Sequence, residues 1–224
     1  MTISISRRRM LGGAAALAAA GIAGITPRFA HAAEEIDDAL AEVARARASL
    51  KTLTGPFTQE RTIGLLASKI KSTGTLTLVR PDRLRWELAP PDDVVYWVGP
   101  EGLAFKSARS RGRVALGGAN GTTGAKLAAA LDDIRILLGG DLSKLRERYD
   151  LRLVSRTPEG IAFEGIPRPG TGTRLDKLAF ALDKDRVRPT RATLIEGPRD
   201  KTEITFGTLD RDVTIDPAKM RAPF

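Results

Sequence analysis

A single histidine, His31, and a complete lack of cysteine decide what chemistry this chain can perform. Ser-His-Asp and Cys-His catalysis need an imidazole beside the nucleophile, and zinc sites draw mainly on His and Cys. His31 lies in Ala30-His31-Ala32, the small-residue setting of a signal-peptidase cut. Cleavage after Ala32 therefore leaves no imidazole at all. No catalytic residue, metal site or cofactor is expected. Carboxylate-only chemistry, such as a glycosidase pair, stays formally open. No inward acidic pair stands out, so no enzymatic activity is expected.

The segment before that cut has the form of an export leader. Ser6-Arg7-Arg8-Arg9-Met10-Leu11 is a basic start, followed by an Ala/Gly-rich apolar stretch from Gly12 to Ile25. Ser-Arg-Arg-x-Met-Leu is close to the twin-arginine pattern; a Sec signal with one extra arginine is the alternative. The apolar run is too short and too glycine-rich for a membrane span. Residues 1–32 are read as a signal peptide and 33–224 as one exported domain in the periplasm. Without cysteine, that domain has no disulfides and no N-terminal lipid anchor.

Charge adds a second exclusion. Four of the 36 basic residues (Arg7, Arg8, Arg9, Arg28) fall in the leader, leaving 32 against 27 acids, a net +5 over 192 residues. Acids are scattered among the bases, which describes a solvated surface rather than a nucleic-acid face.

The elements follow from periodicity. From Glu34 to Leu50, Ile36, Leu40, Val43 and Leu50 share one helical face, with Glu42, Arg45 and Arg47 placed elsewhere. Glu34, Glu35, Asp37 and Asp38 load the first turns, and Arg45, Arg47 and Lys51 the end, as the helix dipole favours. Period two then takes over, with strands expected at Thr52–Thr62, Ser68–Arg80, Arg83–Leu88, Val94–Val98 and Leu103–Ser107. Gly55-Pro56 marks a bulge or edge in the first of these. In the third, Leu84, Trp86 and Leu88 point one way and Arg83, Arg85 and Glu87 the other. A flexible loop at Gly117–Gly121, capped by Thr122 or Thr123, leads to a second helix at Lys126–Leu138. Its stripe is Leu127, Leu131, Ile134 and Leu138, and Gly139-Gly140 ends it. Five more strands are expected: Tyr149–Arg156, Gly160–Ile166, Arg174–Leu182, Arg188–Ile195 and Thr202–Leu209.

This is an α+β pattern: one long antiparallel sheet of ten or so strands with two or three helices. A sheet that long curls. Two helices tile its concave face incompletely, which leaves either a hydrophobic cavity under a helical lid or an ordinarily packed core. The pattern does not choose between them.

Three motifs occur in order: Phe57-Thr58-Gln59; Gly74-Thr75-Leu76-Thr77-Leu78; and Arg80-Pro81 ahead of Trp86. Pro91 to Gly102 follows as a hairpin, and a late Asp216-Pro217 precedes the terminal Phe224. In this order they resemble the LolA-type carriers, which escort lipoproteins across the periplasm. The specific motifs run from Phe57 to Gly102, while the order of elements agrees over nearly the whole mature chain. The resemblance implies an incomplete β-barrel closed by helices, binding acyl chains without enzymatic activity. It implies cavity residues Phe57, Leu76, Leu78, Leu84, Trp86 and Leu88 from the sheet, and Leu127, Leu131, Ile134 and Leu138 from the lid.

The family's arginine before proline matches Arg80, whose implied role is a lid latch bonded to helix or loop carbonyls. Alternation puts Arg80 on the face of Leu76 and Leu78; the alternative is a strand-end arginine snorkelling into water. Arg83 and Arg85 face outward, where they suit either an acidic partner or plain solvent. The implied partners are lipoprotein acyl chains or another envelope lipid, an inner-membrane release complex and an outer-membrane acceptor, with the carrier a monomer. Leu84 stands where the family commonly has an aromatic, and Pro100-Glu101-Gly102 replaces the usual Asp-Gly of the hairpin. These departures leave the cargo open. The competing function is an envelope binding or sensor module that carries nothing.

Overall fold

The computed structural model describes residues 28–64, 68–115, 123–171, 173 and 175–224. The expected loop at Gly117–Gly121, Thr122, the leader up to residue 27 and Arg174 lie outside them. In chain order the elements are α1 (Arg28–Ala46), β1 (Thr52–Ile63), β2 (Ser68–Val79), β3 (Arg83–Leu88), β4 (Val94–Gly99), β5 (Gly102–Ser107) and β6 (Arg111–Val114). Then follow α2 (Thr123–Gly139), β7 (Tyr149–Thr157), β8 (Gly160–Pro167), β9 (Lys177–Asp183), β10 (Pro189–Ile195), β11 (Lys201–Phe206) and β12 (Asp210–Arg211). Short 3₁₀ turns occupy Leu142–Glu147 and Pro217–Met220. Their caps, Asp141 and Asp216, accept from the backbone N–H groups of Ser143 and Ala218, each at 2.9 Å.

Among the described residues twelve strands join one antiparallel sheet in the order β6-β5-β4-β3-β2-β1-β11-β10-β9-β8-β7, with β12 pairing the start of β1. β6 and β7 are the two ends of the order, so the sheet does not close. The meander from β1 to β5 follows the expected boundaries within a few residues. β6 and β12 were not foreseen. Arg111-Gly112-Arg113-Val114 has no apolar alternation of its own and becomes a strand by pairing with β5. The Gly55-Pro56 step falls where β1 changes neighbour, from β12 at Leu53 and Thr54 to β11 from Phe57 onward. A Cβ on Gly55 would meet the carbonyl of Thr208 at 2.5 Å, so the crossing chain needs glycine there.

α1 begins earlier than the pattern indicated. The expected cut after Ala32 falls inside it, and the part from Ala33 keeps the buried stripe Ile36, Ala39, Leu40 and Val43. The chain between β6 and β7 carries α2 from one end of the open sheet to the other, across the concave face. α2 touches β2, β4 and β6, and α1 touches β7. The inward positions of nearly every strand merge with both helices into one buried apolar cluster. Among the described residues, no helix is long and apolar enough to cross a membrane.

Candidate functional site

Strand alternation delivers the inward side chains of β1, β2 and β3 to one patch. Phe57, Leu76, Leu78, Leu84, Trp86 and Leu88 are all buried. The Trp86 ring lies 3.8 Å, centroid to centroid, from Phe57 and stands edge-on to Phe206 at 6.4 Å. Gly74 has to be bare here, because a Cβ would strike the Phe57 ring at 2.5 Å and the carbonyl of Glu87 at 2.1 Å. α2 closes over the patch with Leu131, Ile134, Leu137 and Leu138, each buried. At the helix end, the backbone of Gly139 lies so close to Leu78 that a Cβ would come within 2.2 Å of it.

Leu127 does not join this packing. It is 38% exposed, and Ala128 takes the inward position instead. No other apolar residue expected at the site is more than 9% exposed. These inward side chains are packed against one another and against α2 in one buried cluster. A small pocket of about 10 Å³ lies elsewhere, lined among others by Trp97, Ala104, Arg113 and Ala222. That is room for about one water.

Polar groups cross the apolar seam at one end. Arg80 donates through Nη1 to the carbonyl of Arg47 and, at 3.4 Å, to that of Leu50. These carbonyls follow the last turn of α1, where backbone acceptors lack helical donors. Arg47 is itself buried, 2% exposed. Its Nη2 donates to the carbonyls of Leu137 at 2.7 Å and Val187 at 3.2 Å, and its Nη1 to that of Gly140 at 3.4 Å. Burial above all, and then the neighbouring Arg80, push the guanidinium down to about 9, so it remains charged at neutral pH. By residue type Arg47 is expected off the apolar face of α1. Ile36, Leu40, Val43, Arg47 and Leu50 are nevertheless spaced by four and three in turn, and that spacing was the available signal.

A second buried polar group was also missed. Asp133 of α2 is 1% exposed and accepts from Tyr149 Oη at 2.6 Å, with Arg148 ion-paired to it. Burial raises its carboxyl to about 6, against the opposing pull of Arg148 and the Tyr149 hydroxyl. The neighbouring Asp132 is held by Arg135 at 2.6 Å and by Arg148 at 3.3 Å. These acids are engaged in structure rather than aimed at an open cleft. Arg83 and Arg85, on the outward face of β3, pair with Glu101 (3.0 Å) and Glu87. Among the described residues no three His, Cys, Asp or Glu gather as a metal site would need.

Residues 48–96 match the family described as outer membrane lipoprotein carrier protein LolA. That stretch holds Phe57, Leu76, Leu78, Arg80, Leu84, Trp86 and Leu88. An outer-membrane lipoprotein carrier protein of Alkalilimnicola ehrlichii is 29% identical over 186 residues, covering 80% of this chain and 77% of that one. Among solved structures, MucB overlays with a TM-score of 0.49 at 18% identity, over 84% of this chain and 63% of its own. A LolA superfamily protein of Nitrosomonas europaea gives 0.44 at 7% identity, over 83% and 97%. Neither overlay bears on the site.

Proposed function

We propose that this LolA-like chain is a non-enzymatic periplasmic carrier that shelters the acyl chains of lipoproteins, or of a related envelope lipid, beneath α2. The observation that carries the reading is the seam itself. An apolar sheet face is covered by a helix whose terminal carbonyls are held by guanidinium donors, so the cover is tied by a few polar bonds as well as by packing. Acyl chains replacing α2 on that face would be drawn in by burial worth roughly 0.8 kcal/mol per methylene. Rebonding of Arg80 and Arg47 on closure offsets part of that gain and favours release. In this reading Arg80 is the lid latch, and the residues around Trp86 line the space that opens. The chain is exported with residues 1–32 removed, works as a monomer, and passes cargo from an inner-membrane release complex to an outer-membrane acceptor.

The filled concave face favours a second reading, an envelope binding or sensor module that never opens. Adding the purified protein to spheroplasts of its own host distinguishes the two. Acylated lipoproteins should appear in the supernatant in a soluble complex with this chain, and Arg80→Leu should bind them but release them more slowly. A supernatant free of lipoprotein, with the host's release machinery shown intact, would leave the sensor module.

A further inference from the structure

Arg80 alone does not reach α2. Its bonds end on the carbonyls of Arg47 and Leu50, at the end of α1. The connection onward to α2 runs through the side chain of Arg47, which donates to Leu137 and Gly140 in the last turn of that helix and just beyond it. The same guanidinium donates to Val187 in the turn between β9 and β10. That turn is fixed independently of α2. Asp185 Oδ1 accepts from the backbone N–H groups of Val187 and Arg188, both at 2.9 Å. Arg186 donates through Nε to Glu42 of α1 at 2.6 Å and through Nη2 to the carbonyl of Thr157 at 2.7 Å. Arg47 therefore stands on a rigid base made of α1 and the turn, and it reaches out to α2.

We infer that Arg47 is a second closing residue, working in series with Arg80 to hold the C-terminal end of α2 against the sheet. The geometry suits a bond meant to break. Among the described residues no carboxylate hydrogen-bonds to this guanidinium and its Nε has no hydrogen-bond partner; Arg80 beside it opposes its charge, and Asp185 of the turn favours it only from beyond hydrogen-bond reach. A buried cation hydrogen-bonded only to carbonyls bears a desolvation cost that a direct ion pair would offset more fully. Opening the seam lets water reach the charge, so part of the lost bonding is regained. A planar fork of donors also matters, because one group must meet carbonyls from two separate elements at once. Lysine, a single point of charge, cannot span both.

The inference rests on the reading of α2 as the part that moves, and not on what the cargo is. Hydrogen exchange on the purified, cargo-free protein tests it. With Arg47→Lys, amides of residues 136–140 should exchange at least tenfold faster, while β8 and β9 keep their wild-type rates. Binding of bis-ANS, an apolar dye, should rise as the concave face becomes accessible. Arg47→Leu should exceed Arg47→Lys in both readouts. Combining Arg47→Leu with Arg80→Leu should add little to the larger single effect, as links in series require. Unchanged exchange at 136–140, or a uniform rise across β8, β9 and α2 alike in the lysine variant, would overturn the inference. These measurements need no lipoprotein, so a negative spheroplast result alongside local opening would remove the carrier and keep the latch.

Discussion

The two helices sit on the same sheet but are attached in different ways. α1 is pinned by contacts to distant parts of the chain: Glu42 pairs with Arg186 at 2.6 Å and with Arg156 at 2.7 Å, on the β9–β10 turn and β7 respectively. α2 has its own buried polar cluster, but the partners of Asp132 and Asp133 are Arg135, Arg148 and Tyr149, within the same helix or just after it. The Arg135 and Arg148 bonds stay close to α2 in the chain, whereas Tyr149 pairs with Pro167 of β8 and so joins α2 to the edge of the sheet. What ties α2 to the rest of the fold is its apolar underside, the guanidinium of Arg47 at its C-terminal end and, half-way along, the bond of Asp133 to Tyr149 at the sheet edge. A fixed helix and a liftable one can thus share a core, and the distinction lies in where their polar partners sit along the chain.

Removing the apolar tie should give the largest effect. Leu138 is completely buried beneath α2, and Leu138→Ala should cost ~2–5 kcal/mol in denaturant unfolding, the range for a leucine truncated in a packed core. Leu127→Ala, on the same helix but 38% exposed, should stay within ~0.5 kcal/mol of wild type. Equal losses in the two variants would mean that α2 has no preferred buried face. The α1 side responds to a polar change instead. Glu42→Ala leaves the Arg186 side chain, only 12% exposed, without its carboxylate and should cost ~1–3 kcal/mol. Because that pin belongs to α1, amides at 136–140 should then show no more opening than the general loss of stability requires. A selective rise there would erase the distinction between the helices.

These contrasts also mark what the sequence could disclose. The alternation of β3 was plain because each residue type matched its face: Leu84, Trp86 and Leu88 in, Arg83, Arg85 and Glu87 out. The family motifs between Phe57 and Trp86 pointed to the same patch; one long antiparallel sheet followed from the regular strand spacing, and its openness from the resemblance. Arg47 and Leu127 were misplaced for opposite versions of one reason. A charged residue was assigned to water and a leucine to the core by type, whereas the packing of each helix end decided otherwise. Arg47 is buried because three backbone carbonyls from α2 and a distant turn converge on it, and such convergence has no local signature. Asp133 presents the same difficulty, since its hydroxyl partner, Tyr149, lies sixteen residues away.

The smallest expected effect concerns that cluster and is seen only through pH. The carboxyl of Asp133, raised to about 6 from an ordinary 3.8, binds its proton more tightly in the folded chain than in the unfolded one. Its contribution to stability is therefore full below about pH 4 and is lost as pH rises through 6. Acids held low by partners, such as Glu42 beside Arg186, act in the opposite sense and lose their contribution as pH falls. The two must be separated by difference. Asp133→Asn keeps an acceptor for Tyr149 Oη but cannot titrate. Its unfolding free energy, subtracted from that of the wild type at each pH, should change by ~1–2 kcal/mol between pH 4 and 7, with the wild type gaining on the acid side. The groups facing Asp133 are Arg148, Asp132 and the Tyr149 hydroxyl, the last on the first residue of β7, and all of them meet α2 before the stretch that Arg47 holds. Because Arg47 holds residues 137 and 140 independently of that cluster, raising the pH should lower global stability while leaving the relative exchange of residues 136–140 unaltered. A pH-dependent opening confined to those residues would show that the Asp133 cluster, and not Arg47 alone, fastens the C-terminal end of α2.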